Sequence, residues 1–360
     1  MLGELYDFKN IDNIVWFIPF RKLIDNIRDY LLFKYNFLQS NNSSKDYKKI
    51  KCRDLAGRIP MFRKSIKEDS NFLFKYINFI RGLDNEDIKI VYDIISKICN
   101  YNNIDDEVFY SLDELKQLDK FTDETIEFLS KITTINEYTY LYNKYILPIN
   151  YFEPEIFYDK YGMDYIKNTD KIRNKNIIDA GGFIGDSAIV LSDYTDKNVY
   201  SFEPFLQNYN MIFKTIELNK KTNIIPINMA LGEVNEEIYM YSHGNISSVF
   251  SIENSKKSDI NRVENKVKMV TLDSYVKENN IEVGLIKTDL EGFEQPFLRG
   301  AIETIKKQKP VLIISIYHNY SDFFEIKPMI ENLNLSYKFK IVKPKSIQVI
   351  TETKLLAEVY

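Results

Sequence analysis

The apolar positions of this chain change rhythm near residue 150. Before that point they recur at helical spacing: Leu112, Leu115 and Leu118 are followed by Ile126, Leu129 and Ile132, and glycine is scarce. Ser111-Leu112-Asp113-Glu114 has the capping-box spacing of a helix start, and Thr122 or Asp123 is placed to cap a second helix. Residues 1–150 therefore read as an all-α N-terminal domain. From Asn176 onward short β-rich runs alternate with amphipathic stretches, the pattern of a parallel sheet with crossover helices. Strands are predicted near 176–180, 198–203, 224–229, 284–289 and 311–316, and helices near 185–193, 206–219, 293–307 and 322–333. Strands at 337–343 and 347–350 are expected to close the sheet. Between the third and fourth core strands lies an insertion, Glu236 to Leu272, whose two alternating runs read as antiparallel additions. The junction is the aromatic stretch Tyr138 to Tyr165, where Pro148 and Pro154 discourage one continuous helix. The fold class expected for residues 151–360 is α/β, a mostly parallel seven-stranded sheet with helices on both faces.

Composition narrows the class. A chain of 360 residues with 44% hydrophobic and 28% charged positions is globular in balance, and two domains suit its length. With 12 Gly, 10 Pro and 2 Cys it is neither collagen-like nor a disulfide scaffold. Lys plus Arg number 48 against 52 Asp plus Glu, a formal charge of −4, so no global basic field draws in nucleic acid. Cys52 and Cys99 form no metal-ligand pattern and read as ordinary core thiols in a reducing compartment. Glu4 and Asp7 stand where a signal peptide needs positive charge. The longest apolar runs, Ile14 to Phe20 and Val311 to Ile316, are far shorter than the roughly 20 residues of a spanning helix. A cytoplasmic protein is expected. Ile11 to Tyr35 joins an apolar aromatic run around Trp16 to Arg21, Lys22, Arg28 and Lys34, which suits peripheral contact with the inner face of an anionic membrane, or plain packing against the rest of the chain.

The candidate chemistry begins at Ile177-Ile178-Asp179-Ala180-Gly181-Gly182-Phe183-Ile184-Gly185-Asp186-Ser187. A buried strand runs into a turn where Gly181 takes a positive φ and lets backbone approach a ligand, while Gly185 opens the next helix. Asp179 at the strand end separates two cofactor classes. A dinucleotide pyrophosphate disfavours an acid there, whereas the ammonium of S-adenosylmethionine is met by one. The glycine spacing alone nearly satisfies the nicotinamide fingerprint, so an NAD(P)-dependent oxidoreductase stays open as the rival reading. About 20 residues later Glu203, followed by Pro204, ends the second strand, where a carboxylate accepts hydrogen bonds from a ribose diol. Met229 and Ala230 supply small apolar positions for an adenine floor. Lys287-Thr288-Asp289-Leu290-Glu291-Gly292-Phe293-Glu294 gathers three carboxylates and a lysine at the fourth strand's end.

The segments DAGGFIGDS, FEP, NMALG, VTLDSY, IKTDLEGFE, FLRGA and SIYH, taken together, resemble the FkbM family of S-adenosylmethionine-dependent methyltransferases over roughly residues 150–335. The resemblance implies a class I Rossmann-like methyltransferase fold and methyl transfer to oxygen, with S-adenosylhomocysteine as product. It places the donor against Asp179, Gly181, Gly182, Phe183, Gly185, Asp186, Ser187, Glu203, Pro204, Met229 and Ala230, with Asp289 beside the transferring methyl. The family's first loop commonly reads D-x-G-A-N-x-G; here Gly182 and Phe183 stand in place of Ala and Asn, and Phe183 is free to pack on the methionine chain.

A sugar hydroxyl is a poor nucleophile until a base removes its proton. His318, just past the fifth strand, is the candidate base, with substrate positioning and a structural role as its alternatives; Asp289, Lys287 and Glu291 complete the expected catalytic set. Asp289, Glu291 and Glu294 also suit a divalent ion, although Glu294 is equally at home in a first helical turn. Ser247 and Ser248 are candidate pocket residues in the insertion. The expected function is O-methylation of a sugar, glycan or glycan precursor, of the kind used in bacterial surface polysaccharide biosynthesis. A non-catalytic scaffold on the same fold is the third reading.

Overall fold

The structure, a computed structural model, describes residues 47–51, 57–101, 107–243, 249–250, 262–344 and 348–360. Its centre is a seven-stranded sheet built, in chain order, from β1 (Asn176–Ala180), β2 (Val199–Phe202), β3 (Ile224–Ile227), β4 (Val283–Thr288), β5 (Val311–Ser315), β6 (Lys338–Val342) and β7 (Lys354–Glu358). The spatial order is β6-β7-β5-β4-β1-β2-β3. Neighbours from β5 through β3 run parallel, whereas β7 pairs antiparallel with both β5 and β6, so the sheet is mixed. The chain leaves β1 toward β2 on one side and reaches β4 on the other. That reversal opens a crevice at the carboxyl ends of β1 and β4, the place where open α/β sheets bind ligands.

Strands β4, β5 and β7 are buried at every position, as strands covered on both faces must be. Alternation assigns their side chains to two cores. Ile178, Ala180, Phe202, Ile286, Leu312 and Ile314 enter one core, and Ile177, Val199, Leu285, Val311 and Ile313 the other. The first core also takes in the helices Arg58–Glu68, Phe72–Ile80, Asn85–Asn100 and Tyr320–Glu331. Phe323 joins them by stacking on Phe79 at 5.2 Å and meeting Phe62 edge-on at 6.1 Å. The second core holds Phe128, Leu147, Phe152 and Phe157 against the helix Asp186–Leu191.

Several expectations need correction. The segment before residue 150 is not all helix: Tyr47–Lys51 pairs with Glu107–Ser111, and Thr133–Asn136, Thr139–Tyr142 and Tyr145–Leu147 form a small antiparallel sheet. Its threonines and tyrosines favour strands, and Asn143 at φ 54° turns the chain tightly between the last two. Ser111 does form the capping box with Glu114, but the helix runs unbroken over Leu112–Ser130, so no second helix starts at Thr122 or Asp123. Ile126 and Leu129 lie exposed on that helix while Phe128 is buried. The stretch 293–307 is two helices, Glu294–Arg299 and Ile302–Gln308. Residues 348–350, the described part of the predicted strand 347–350, are not a strand; the closing strand is β7, preceded by a turn in which Thr353 bonds back to the Ile350 carbonyl. The two runs of the insertion pair antiparallel as read, Glu236–His243 with Arg262–Val270, but they form a separate four-stranded sheet in which Arg262–Val270 also pairs parallel with Ala230–Leu231.

Candidate active site

The cleft at the carboxyl ends of the parallel strands encloses about 470 Å³, within the range of small-molecule sites. Gly181, Phe183, Asp186 and Ser187 line it after β1, Glu203 and Pro204 after β2, and Met229 and Ala230 after β3. Lys287, Asp289 and Glu291 line it from β4 and Tyr317 from β5, while Arg58, Tyr151, Glu153, Tyr161 and Glu352 close it from outside.

The loop after β1 is fixed by close backbone approach. Gly181 sits at φ 88°, and a Cβ there would lie 2.0 Å from the Asp289 carbonyl oxygen, so the two strand ends touch in a way only glycine permits. Gly182 and Gly185, expected among the donor contacts, do not line the cleft: a Cβ on Gly182 would meet the Ser201 side chain, and one on Gly185 would meet Ile212 of the helix Leu206–Asn219. Phe183 does reach the cleft. Its backbone is held at φ 44°, its N–H donates to Glu203 Oε2 at 2.9 Å, and its ring meets Tyr151 edge-on at 5.2 Å. Glu203 accepts a second bond from the Phe205 N–H at 2.9 Å. Burial pushes its pKa up to about 7 despite these backbone bonds.

Asp179 and Lys287 lie elsewhere in the chemistry than their sequence positions suggest. They face each other across the β1–β4 register, Nζ to Oδ1 2.9 Å, with side chains 0% and 3% exposed. Asp179 also accepts hydrogen bonds from Ser187 Oγ at 3.0 Å and Ser201 Oγ at 2.8 Å. Its carboxylate is thus satisfied inside the sheet and does not line the cleft, which corrects its assignment to a ligand's ammonium. Lys287 also donates to the Gly181 carbonyl at 2.8 Å and to Ser187 Oγ at 3.4 Å, and is held charged by Asp179 against burial. These contacts suit it to positioning the loop at the cleft edge.

Past β4, Asp289 accepts a hydrogen bond from Tyr161 Oη at 2.9 Å and lies 3.2 Å from His318 Nε2. Burial favours its neutral form, but His318, Lys287 and Lys354 together hold its pKa well below the usual carboxylate range. Glu291, at φ 52°, has its carboxylate 3.6 Å from the Arg58 guanidinium, and burial raises its pKa. Glu294 is fully buried and accepts the Leu290 and Gly292 N–H groups, closing the turn into the next helix. His318 is not placed as a general base. It is 7% exposed, does not line the cleft, and its Nδ1 lies 3.1 Å from Glu294. Burial alone would lower its pKa, yet the surrounding Glu294 and Asp289 raise it well above the ordinary value, a direction opposed to a neutral imidazole poised to accept a proton.

Sequence reasoning missed Glu153, Asp186's acidity, Glu352 and Arg58. Burial, with Glu352 and Asp186 nearby, pushes Glu153 up to about 8, and burial pushes Asp186 to about 7. Tyr151 Oη donates to Glu153 at 2.9 Å. Glu153 sits in the proline-broken aromatic junction, where Phe-Glu-Pro gave no reason to look for a pocket acid. Ser247, Ser248, Cys52, the His243 side chain and the segment Ile11 to Tyr35 lie outside the described residues. Among the described residues no helix is long and apolar enough to cross a membrane.

Residues 179–340 match the family model of the methyltransferase FkbM domain. Among solved structures, the methyltransferase FkbM from Methylobacillus flagellatus KT aligns with a TM-score of 0.52 at 15% identity over 83% of this chain. The chain spans 61% of that structure's length, and at this identity the likeness speaks for the fold. Weaker likenesses include Trm5b from Pyrococcus abyssi, with TM-score 0.34, 13% identity and coverage of 63% and 56% of the two chains. Another is SMU.1697c, a putative methyltransferase from Streptococcus mutans in complex with SAH, at 0.31, 15%, 53% and 93%. A comparison with curated proteins finds no match.

Proposed function

Because residues 179–340 belong to the methyltransferase FkbM domain family, we propose that the protein transfers a methyl group from S-adenosylmethionine to a hydroxyl of a sugar, glycan or glycan precursor on a class I Rossmann-like fold. The observation that carries this reading is the charge of the cleft. Six carboxyl groups line it, Glu153, Asp186, Glu203, Asp289, Glu291 and Glu352, against the cations Arg58 and Lys287, and Lys287 is already paired with Asp179. Such a cleft suits a donor bearing a sulfonium and an ammonium. It opposes a pyrophosphate: the Phe183 N–H is already given to Glu203, and Asp186 occupies the first helical position.

On this reading Glu203 accepts the ribose hydroxyls, and Met229 and Ala230 border the adenine. Glu153 and Asp186 face the donor's positive charge, taking the part the sequence had given to Asp179. Asp289, held ionised, accepts a hydrogen bond from a second hydroxyl of the acceptor and so orients the attacking one, whose O–H is directed at Glu291, for in-line attack on the methyl carbon. The C–O bond forms as the C–S bond breaks; sulfur leaves as a neutral thioether, and the hydroxyl proton passes to Glu291. Tyrosine rings and carboxylates suit a sugar, whose faces stack and whose hydroxyls donate.

Calorimetric titration of the full chain with S-adenosylmethionine, S-adenosylhomocysteine and NAD tests the donor, and mass spectrometry of a nucleotide-sugar panel tests the acceptor. Binding of NAD alone would replace the methyltransferase reading with the oxidoreductase. Binding of none of the three would leave a scaffold.

A further inference from the structure

Behind the acidic rim, the loop that follows β4 and the residue that ends the loop after β5 bring three ligand-type side chains together. Asp289, Glu294 and His318 each present one atom within 4.8 Å of the other two. A divalent cation at roughly 2.0–2.4 Å from each donor spans atoms no farther apart than that. The imidazole lies between the carboxylates, Nε2 3.2 Å from Asp289 Oδ1 and Nδ1 3.1 Å from Glu294 Oε1. Neither contact is aligned as a hydrogen bond: both ring nitrogens are buried and unpartnered in a residue 7% exposed. A buried imidazole with neither nitrogen engaged, flanked by two carboxylates, can give one nitrogen to a cation that both carboxylates reach, because the three ligand atoms already lie within one coordination sphere of each other.

The supporting contacts agree. Tyr161 Oη donates to the second oxygen of Asp289 at 2.9 Å, and the backbone of Leu290 and Gly292 fixes the Glu294 carboxylate at 2.7 and 3.0 Å. Outer contacts of this kind orient ligands before an ion arrives. Glu291 lies 3.5 Å from Nε2 on the cleft side, ready to serve as a further oxygen donor.

We propose that Asp289, Glu294 and His318 form a binding site for a divalent first-row transition-metal cation at the base of the cleft. One imidazole nitrogen with two carboxylates favours Mn²⁺, Fe²⁺ or Zn²⁺ over Mg²⁺, which prefers an all-oxygen shell. The ion displaces the imidazole proton. Resting on the methyltransferase reading, the site lies beside Asp289, where an acceptor hydroxyl bound to the ion becomes more acidic.

The test uses the full chain, stripped with chelator, and Mn²⁺ as probe. Electron paramagnetic resonance titration is expected to show one tight Mn²⁺ per chain, with nitrogen modulation from a bound imidazole in the pulsed spectrum. His318→Gln is expected to weaken Mn²⁺ binding at least tenfold and to erase that modulation. The pulsed measurement on the unaltered protein decides the matter even if the variant misfolds. Absence of saturable binding up to about 1 mM Mn²⁺, bound Mn²⁺ without nitrogen modulation, or unchanged affinity in a folded His318→Gln would each overturn the site. S-adenosylhomocysteine titrated without metal separates the two readings: donor binding without Mn²⁺ binding removes the metal site alone, and Mn²⁺ binding without donor binding removes the methyltransferase reading alone.

Discussion

Replacing Lys287 by methionine discriminates between a lysine that holds the sheet together and one that acts on substrate. In the native protein its ammonium is the only cation in direct contact with Asp179 among the described residues, and both side chains are essentially without solvent. Lys287→Met keeps the length of the chain but leaves a buried carboxylate with two hydroxyl donors, Ser187 and Ser201, and no counter-charge. Breaking a buried pair from one side costs about 3–5 kcal/mol, because the remaining charge is neither hydrated nor compensated. The Gly181 carbonyl loses its donor as well, worth about 1 kcal/mol. Asp179→Asn with Lys287→Met removes both charges and is expected to recover about 2 kcal/mol or more relative to the single variant, a coupling of the size found for directly contacting groups.

Urea unfolding followed by circular dichroism reads these differences. The pair raises the lysine's pKa, so its stabilisation is complete below the unfolded lysine's pKa of about 10.4 and is lost only above it. The contribution of the intact pair should therefore be even across neutral pH. A folded single variant within about 1 kcal/mol of wild type, with turnover lost, would refute the structural assignment and return Lys287 to the reaction.

Glu203→Ala should weaken S-adenosylhomocysteine binding by about 1–3 kcal/mol, since charge-assisted bonds to the ribose go with it; unchanged affinity in calorimetry would remove Glu203 from the donor site. Gly181→Val should abolish donor binding while circular dichroism keeps its helical signal, because the new Cβ would collide with the Asp289 carbonyl at 2.0 Å. Retained binding would show that the two strand ends can separate. Glu153 at about 8 and Asp186 and Glu203 at about 7 are partly protonated near neutrality. A cationic donor favours their ionised forms, so binding should release protons near pH 7 and tighten as pH rises toward 8, as read by calorimetry in buffers of different ionisation enthalpy. No proton release would sink that linkage.

The five parallel strands were legible because each is a short run rich in apolar residues, and three of them lead straight into Gly181, Glu203 and Asp289. The capping box at Ser111 was legible because its chemistry is local. β7 was not, since Lys354 and Glu358 bracket it with charges that read as surface; both are buried, Lys354 over the Tyr161 ring at 4.2 Å and Glu358 under the Lys167 and Asn168 N–H groups. Asp179 was read as the acid facing the cleft, and Glu153 was overlooked as a lining residue, for a related reason. Which acid meets a ligand and which is neutralised depends on the register that sets Lys287 opposite Asp179, and register is decided by tertiary pairing rather than by neighbours in sequence.

That division of charge bears on the proposed reaction. Within the sheet the Asp179–Lys287 pair closes on itself, whereas the cleft wall keeps an excess of carboxyl groups with raised pKa values at Glu153, Asp186 and Glu203. A uniformly anionic cleft would favour the sulfonium of the donor over the neutral thioether of the product, and interactions that hold the ground state more tightly than the transition state slow the chemistry. The reaction, however, releases one proton for each sulfonium charge it consumes. A cleft whose carboxyl groups can take that proton keeps its net charge constant from donor and hydroxyl to thioether and ether. The raised pKa values then work in both directions, yielding protons when the cation binds and accepting one when its charge disappears.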